Sequence, residues 1–170
     1  RERFWSLGVT GYGGFFSLPF LGRSIFDFDG EKQWGVSMDY SMNSRRVWLL
    51  GEVALSQDLG VAMTNTLLIR PLNELQFVLN HRYFSPKYHA FWANATSSLS
   101  GVNGEHGVSF AMEMPVGRGK KLSFLTDVYK VLESDVRLAT QVGYELRGEF
   151  DGRFGDKVVL NSSLRYKERP

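Results

Sequence analysis

The residues of this chain most able to bind a metal ion are its three histidines, His81, His89 and His106. None of them forms the His-x-His or His-Glu-x-x-His spacing that places two imidazoles on one ion. A metal site would therefore need loops that bring His89 and His106 together with Glu105. Because hydrogen bonding within loops explains these histidines more simply, we predict no metal site.

Serine hydroxyls and carboxylates raise the question of a hydrolase. Ser98 or Ser100 would be the nucleophile and His106 its base. The carboxylates available to pair with the histidine are Asp39, Glu52, Glu113 and Asp127. No nucleophile elbow surrounds either serine. We therefore predict a non-enzymatic protein with no catalytic residue and no cofactor, and keep a hydrolase as an alternative.

Aromatic side chains are concentrated in the segment 88–92. Its candidate contact residues are Tyr88, His89, Phe91 and Trp92. Such rings can stack on a sugar or a base, or dock a partner protein. A second stretch rich in rings, 15–21, offers matching apolar surface through Phe15, Phe16 and Phe20. We expect the first segment to fold inward and pack on the second stretch.

The elements that must position these residues are strands. Apolar and polar residues alternate with a period of two along 34–41, where Trp34, Val36, Met38 and Tyr40 share one face. The same alternation marks 74–83, 107–116 and 136–147, and weaker strands are predicted at 3–10, 46–56, 60–70, 121–131 and 158–167. Helical spacing is not sustained anywhere. The sequence therefore predicts an all-β protein of about 8–10 strands.

The connections between these strands contain Gly, Pro, Asn or Asp, which bend a backbone readily. Neighbouring strands joined in this way pair antiparallel, as an up-and-down meander. We expect the two long connections, 11–32 and 84–105, and only these, at one end of the strands. That asymmetry is typical of outer-membrane barrels, which have long outer loops and short periplasmic turns.

Lysine is scarce in the middle of the predicted strands, although a soluble exterior usually carries many lysines. The polar positions there hold small residues, arginines and carboxylates, which suit a crowded polar interior. Tyrosine and tryptophan lie near strand ends, where rings favour the bilayer interface. We therefore predict a transmembrane barrel with an interior network of ion pairs, as such groups more often form salt bridges than an active site. Its predicted members are Glu52, Arg82, Glu113 and Glu145.

Composition narrows the alternatives further. The chain has 170 residues, a net charge of +2 and no cysteine, which excludes disulfides and thiol catalysis. The near balance of charge argues against a nucleic-acid partner, and no apolar run is long enough for a membrane helix. We expect residues 1–170 to form one β-barrel domain, which is either a transmembrane barrel or, as we favour, the C-terminal part of a larger one. The odd count of nine predicted strands and the charged end at 164–170 both favour the larger barrel.

One region resembles a known family. The run His81–Ala95, followed by Asn103-Gly104-Glu105-His106-Gly107, is similar to the stretch YRxYSPxYHAFYANAF…NNExG of a Bacteroidetes family of predicted outer-membrane barrels. Its members are labelled helix-hairpin-helix domain-containing proteins, and the region that names them has no counterpart in this sequence. Residues 47–54 also resemble that family's strand vxLFGEaA, and the resemblance covers 34–130. It implies a barrel and an outer-membrane location, and it implies no activity.

These observations together predict a non-enzymatic β-barrel protein in the outer membrane of a Gram-negative bacterium. It would act as a pore, a transport component or a surface scaffold. Its expected partners are the lipid bilayer and another outer-membrane or surface protein, with no nucleic acid. A soluble barrel that binds a lipophilic ligand inside is the second alternative, beside the hydrolase.

Overall fold

The computed structural model describes residues 4–22, 26–72, 74–90, 104–132, 142–155 and 158–169. These residues form nine strands: β1 (Phe4–Phe20), β2 (Gly30–Asn43), β3 (Val47–Ser56), β4 (Val61–Ile69), β5 (Gln76–Phe84), β6 (Glu105–Pro115), β7 (Lys120–Val131), β8 (Val142–Phe154) and β9 (Val158–Glu168). Each strand pairs antiparallel with the next one in a single sheet. The predicted all-β, up-and-down meander is therefore confirmed. None of the described segments contains a helix long and apolar enough to span a membrane.

The sheet is open in the described part of the chain. Its strands follow one another in chain order, so β1 and β9 are the two edges and are not hydrogen-bonded to each other. A closed barrel would join these edges. The predicted meander is thus present, but the described strands do not close into a barrel.

Several predicted boundaries are wrong. The connection expected at 11–32 is mostly strand, because β1 continues to Phe20 and β2 begins at Gly30. The glycines at 11, 13 and 14 suggested a loop, yet they pair in register with Val36, Trp34 and Gln33 on β2. The strand expected at 136–147 is described from Val142 to Phe154, and residues 133–141 lie outside the described part.

The two ends of the sheet carry connections of different length. One end has 44–46, 70–75, 116–119 and 155–157 between its strands, and the other has 21–29, 57–60, 85–104 and 132–141. The second group, the long-loop end, includes the short turn 57–60, so the expectation that only long connections lie there is wrong. At the opposite end, Gly117 and Gly119 adopt φ values of 121° and 68°, which favour glycine and close the tight turn between β6 and β7.

Side chains of the two faces of the sheet differ in chemistry. Residues directly opposite each other in antiparallel strands point to the same side. One such row holds Asp39, Glu52, Thr64 and Arg82, and it defines the polar face. The adjacent row holds Met38, Val53, Met63 and Tyr83, and it defines the apolar face.

Burial is inverted relative to a soluble sheet. On the central strands of the apolar face, Leu79, Val108 and Val128 are 44%, 44% and 50% exposed. On the polar face, Arg82 and Glu105 are 2% and 0% exposed. Large apolar side chains are therefore outside, and charged ones are enclosed, whereas soluble proteins rarely bury charged residues.

Candidate functional site

The centre of the polar face is an ion cluster around Arg82. Its guanidinium donates to Asp127 through both terminal nitrogens, at 2.8 and 3.0 Å, and its Nε donates to Glu105. The charge also lies 6.0 Å from the centre of the Tyr129 ring. Gly107 is directly opposite Arg82 on β6, and a Cβ there would be 2.7 Å from the arginine Cζ. The absence of a side chain at 107 thus leaves room for the guanidinium of Arg82.

A second ion cluster adjoins the first across β7 and β8. Asp127 and Glu145 are directly opposite each other, and the two carboxylates would repel each other if no cation lay nearby. Arg165 Nε lies 2.7 Å from one oxygen of Glu145, and Lys167 Nζ lies 3.2 Å from the other. Each carboxylate therefore has a cation on its far side, and the charges along β5–β9 compensate one another.

The four residues predicted to form one interior network all lie on the polar face, but the structure distributes them. Arg82 and Glu145 belong to the two clusters above. Glu113 pairs with Lys121 at 3.2 Å, where both side chains are about half exposed. Glu52 lies opposite Asp39, and no ion pair of Glu52 is present among the described residues. The four residues therefore do not form one network: two belong to the adjoining clusters, Glu113 belongs to a separate ion pair, and Glu52 belongs to none of the ion pairs among the described residues.

The partners of Arg82 include a residue that the sequence interpretation placed in a loop. The sequence pattern predicts Glu105 in the connection 84–105, because the alternation of that strand is evident only from Gly107 onward. In the structure β6 begins at Glu105, which is opposite Val131 and shares the face of Gly107. Extending the period-two pattern by two residues places this carboxylate on the polar face, the face of Arg82.

The segment 85–90 folds over the polar face at the long-loop end. Tyr88 N donates to Ser85 O at 3.0 Å, so the chain reverses directly after β5. The Tyr88 ring is 7% exposed and packs with Ala54, Ala62 and Phe84. Gly60 is required beneath it, since a Cβ there would overlap the backbone of residues 87 and 88.

Polar contacts to β2 and β3 hold this segment down. Gln33 Nε2 donates to His89 O at 2.7 Å, and the Ser56 hydroxyl lies 3.4 Å from both Lys87 O and His89 N. The His89 ring packs edge-on against Phe28, with ring centres 5.9 Å apart. Burial lowers the pKa of His89, which favours the neutral imidazole in this position.

The predicted aromatic contacts are met in part. Tyr88 and His89 fold inward as expected, so Tyr88 does not present its ring to the exterior. Their described ring partners are Phe84 and Phe28, and Phe15 is 82% exposed. Phe91 and Trp92 lie outside the described residues.

Space remains on both sides of the ion clusters. A cavity of about 360 Å³ lies beside the covering segment and is lined by Tyr12, Glu52 and Tyr88, among others. A larger cavity of about 680 Å³ lies at the opposite end, where its charged lining includes Arg70 and Asp151. The polar face is therefore covered at the long-loop end and more open at the short-turn end.

The histidine sites considered from sequence are not assembled. His106 follows Glu105 on β6, so it points to the apolar face, away from Asp39, Glu52, Glu113 and Asp127. The structure therefore does not support the alternative hydrolase pairing of His106 with one of these carboxylates, nor the disfavoured site combining His89, His106 and Glu105. Ser98 and Ser100 lie outside the described residues. Within the described ranges, no group of three or more His, Asp or Glu side chains converges as the ligands of one metal ion.

Comparisons with known proteins found no relative of this chain. No family model, no curated protein and no solved structure matches the chain. Functional interpretation therefore depends on the geometry of the two faces.

Proposed function

We propose that this chain forms part of a β-barrel in a bacterial outer membrane, with its apolar face against lipid and its polar face lining the interior. The observation that carries the proposal is the inversion of burial described above. In water, exposed apolar side chains such as Leu79, Val108 and Val128 would favour association. In a bilayer the same face is solvated by lipid, while Arg82 and its carboxylates find partners inside the barrel.

The open edges support a larger barrel. An exposed strand edge leaves a row of peptide groups without partners, which hydrocarbon does not tolerate. In the membrane, β1 and β9 must therefore find strand partners, and a larger barrel would supply them. The resemblance of His81–Gly107 to the Bacteroidetes barrel family supports the same location, and we propose membership of that family.

A non-enzymatic role fits the arrangement of side chains best. The only histidine on the polar side is His89 among the described residues, and its ring packs on Phe28 rather than on a carboxylate. The cover over the long-loop end favours a surface scaffold or a gated transport component over an open pore. A lipophilic ligand in the interior is disfavoured, because the ion clusters occupy the face that it would contact.

Two single-cysteine variants on β6 test the orientation of the faces. The natural chain has no cysteine, so Phe110→Cys and Glu113→Cys each introduce one site for a nitroxide label. In vesicles we expect the label at 110 to be accessible to oxygen, which concentrates in lipid. The label at 113 should be accessible to a water-soluble nickel chelate. The reverse pattern, or a protein that stays soluble without detergent, would replace the membrane barrel with a soluble one.

A further inference from the structure

A chain of polar side chains interrupts the apolar face. The Tyr40 hydroxyl donates to Asn65 Oδ1, and Asn65 Nδ2 donates to His81 Nδ1 at 3.2 Å. His81 Nε2 in turn lies 3.1 Å from His106 Nε2. Gly51 stands between Tyr40 and Asn65 in the same row, and a Cβ there would overlap the tyrosine ring. The missing side chain thus lets Tyr40 reach across β3.

We propose that His81 and His106 bind a divalent transition-metal ion of the Zn²⁺ class, with water completing its coordination. Two imidazole nitrogens on one such ion, each at about 2.0–2.1 Å, are about 3.3 Å apart at the tetrahedral angle and about 2.9 Å apart at a right angle. The observed separation of 3.1 Å lies between these values. The two nitrogens therefore already have the spacing of two ligands of one ion.

The strands make this spacing possible. His81 pairs with Val108, and His106 pairs with Tyr83, so the histidines are diagonal neighbours on β5 and β6. His106 is the second residue of β6, close to the long-loop end, where an ion from solution can reach it. The site does not require that this face contact lipid, and it stands or falls independently of the proposed function.

The donor set selects the class of metal. Neither β4 nor β5 contains a carboxylate, and both carboxylates of β6 point to the polar face. Two neutral imidazoles suit zinc, copper or nickel, whereas calcium and magnesium prefer oxygen ligands. Lys130 is directly opposite His106 on β7, and its charge opposes cation binding. Only a metal with high affinity for imidazole nitrogen is therefore expected to bind.

Asn65 acts as a positioning residue. With Asn65 Nδ2 donating to Nδ1, the proton of neutral His81 is on Nε2, the atom that must bind the metal. Binding requires that this proton move to Nδ1 and that the Asn65 amide turn over, so that Oδ1 accepts it. His81 then remains neutral, and its Nε2 lone pair is free for the ion. A carboxylate at position 65 would hold the same proton more strongly.

Titration of the refolded, EDTA-washed protein with Zn²⁺ in detergent micelles tests the site. We expect saturable binding by calorimetry that His81→Gln or His106→Gln each weakens at least tenfold, while His89→Gln leaves it unchanged. Asn65→Asp should tighten binding about tenfold, and Asn65→Leu should weaken it about 10–100-fold. A β-sheet circular dichroism spectrum unchanged from that of the natural chain shows that a variant is folded.

A second measurement uses the natural chain alone. Modification by diethyl pyrocarbonate, mapped by mass spectrometry, should slow at His81 and His106 when Zn²⁺ is added and be unchanged at His89. If the natural chain shows no saturable binding, the two imidazoles share a hydrogen bond only and the proposal is wrong. Equal loss of affinity in His89→Gln, or equal protection of all three histidines, would also overturn it.

Discussion

Replacement of Arg82 by methionine tests the ion cluster at the centre of the polar face. Methionine keeps much of the side-chain length but leaves Glu105 and Asp127, which are 0% and 7% exposed, without their cation. Loss of one partner from a buried ion pair costs about 3–5 kcal/mol. Since this arginine serves both carboxylates, we expect Arg82→Met to lower the free energy of unfolding by about 3–5 kcal/mol. The equilibrium between folded and unfolded protein should then shift by at least about 100-fold.

Urea titrations of the protein in detergent micelles, followed by tryptophan fluorescence, would measure this loss. Lys121→Met is the matched control, because Lys121 pairs with Glu113 in a half-exposed position. An ion pair of that kind contributes about 0–1 kcal/mol. The triple variant R82M/E105Q/D127N should recover much of the lost stability, since it leaves no unpaired buried charge.

Two results would refute this reasoning. An Arg82→Met variant that unfolds within about 1 kcal/mol of the natural chain would mean that water reaches the carboxylates. A triple variant no more stable than the single one would mean that the loss comes from packing around the side chain rather than from the uncompensated charges.

Three further tests concern the strand register, the burial of Tyr88 in the segment 85–90, and closure of the long-loop end by this segment. Phe110→Arg should cost about 2–4 kcal/mol near the bilayer midplane, and Ser109→Arg should cost less, because it points to the polar face; equal costs in vesicle folding titrations would contradict the register. Burial raises the pKa of Tyr88 from 10.0 to about 12, so the unfolded chain ionises first and stability should fall as the pH rises from about 10 to about 12. Tyr88→Phe should reduce that loss by the part that Tyr88 contributes, as urea midpoints on either side of this interval would show. Deletion of 88–96 should raise single-channel conductance in planar bilayers, whereas unchanged conductance with lost binding to another surface protein would identify the segment as a docking loop.

The strand order was predictable because side-chain alternation is a local property. In 34–41 the apolar residues at even positions imply a strand before any partner is known. Short turns rich in glycine then force neighbouring strands to pair. The same logic failed for β1, where glycine at 11, 13 and 14 carries little hydrophobic signal. Pairing with β2 holds that stretch extended.

The composition of the ion clusters was not predictable, because it depends on register between strands. The sequence shows that Arg82 and Glu113 share a face, but a shift of two residues in register would change the partner of each without changing either face. Register places Gly107 beside Arg82 and thereby brings Glu105 and Asp127 within reach. Pairing across strands is a property of the sheet, and no strand contains that information alone.

The position of His106 depends partly on the sequence of its own strand and partly on how the strands pair. The period of two places Glu105 and His106 on opposite faces, and the sequence by itself determined that a strand there would divide them. Only the tertiary structure decided that β6 begins at Glu105 and that His106 contacts His81, its diagonal neighbour on β5. Alternation acts between adjacent residues of one strand, whereas a contact between two strands depends on the turns and pairings that align them.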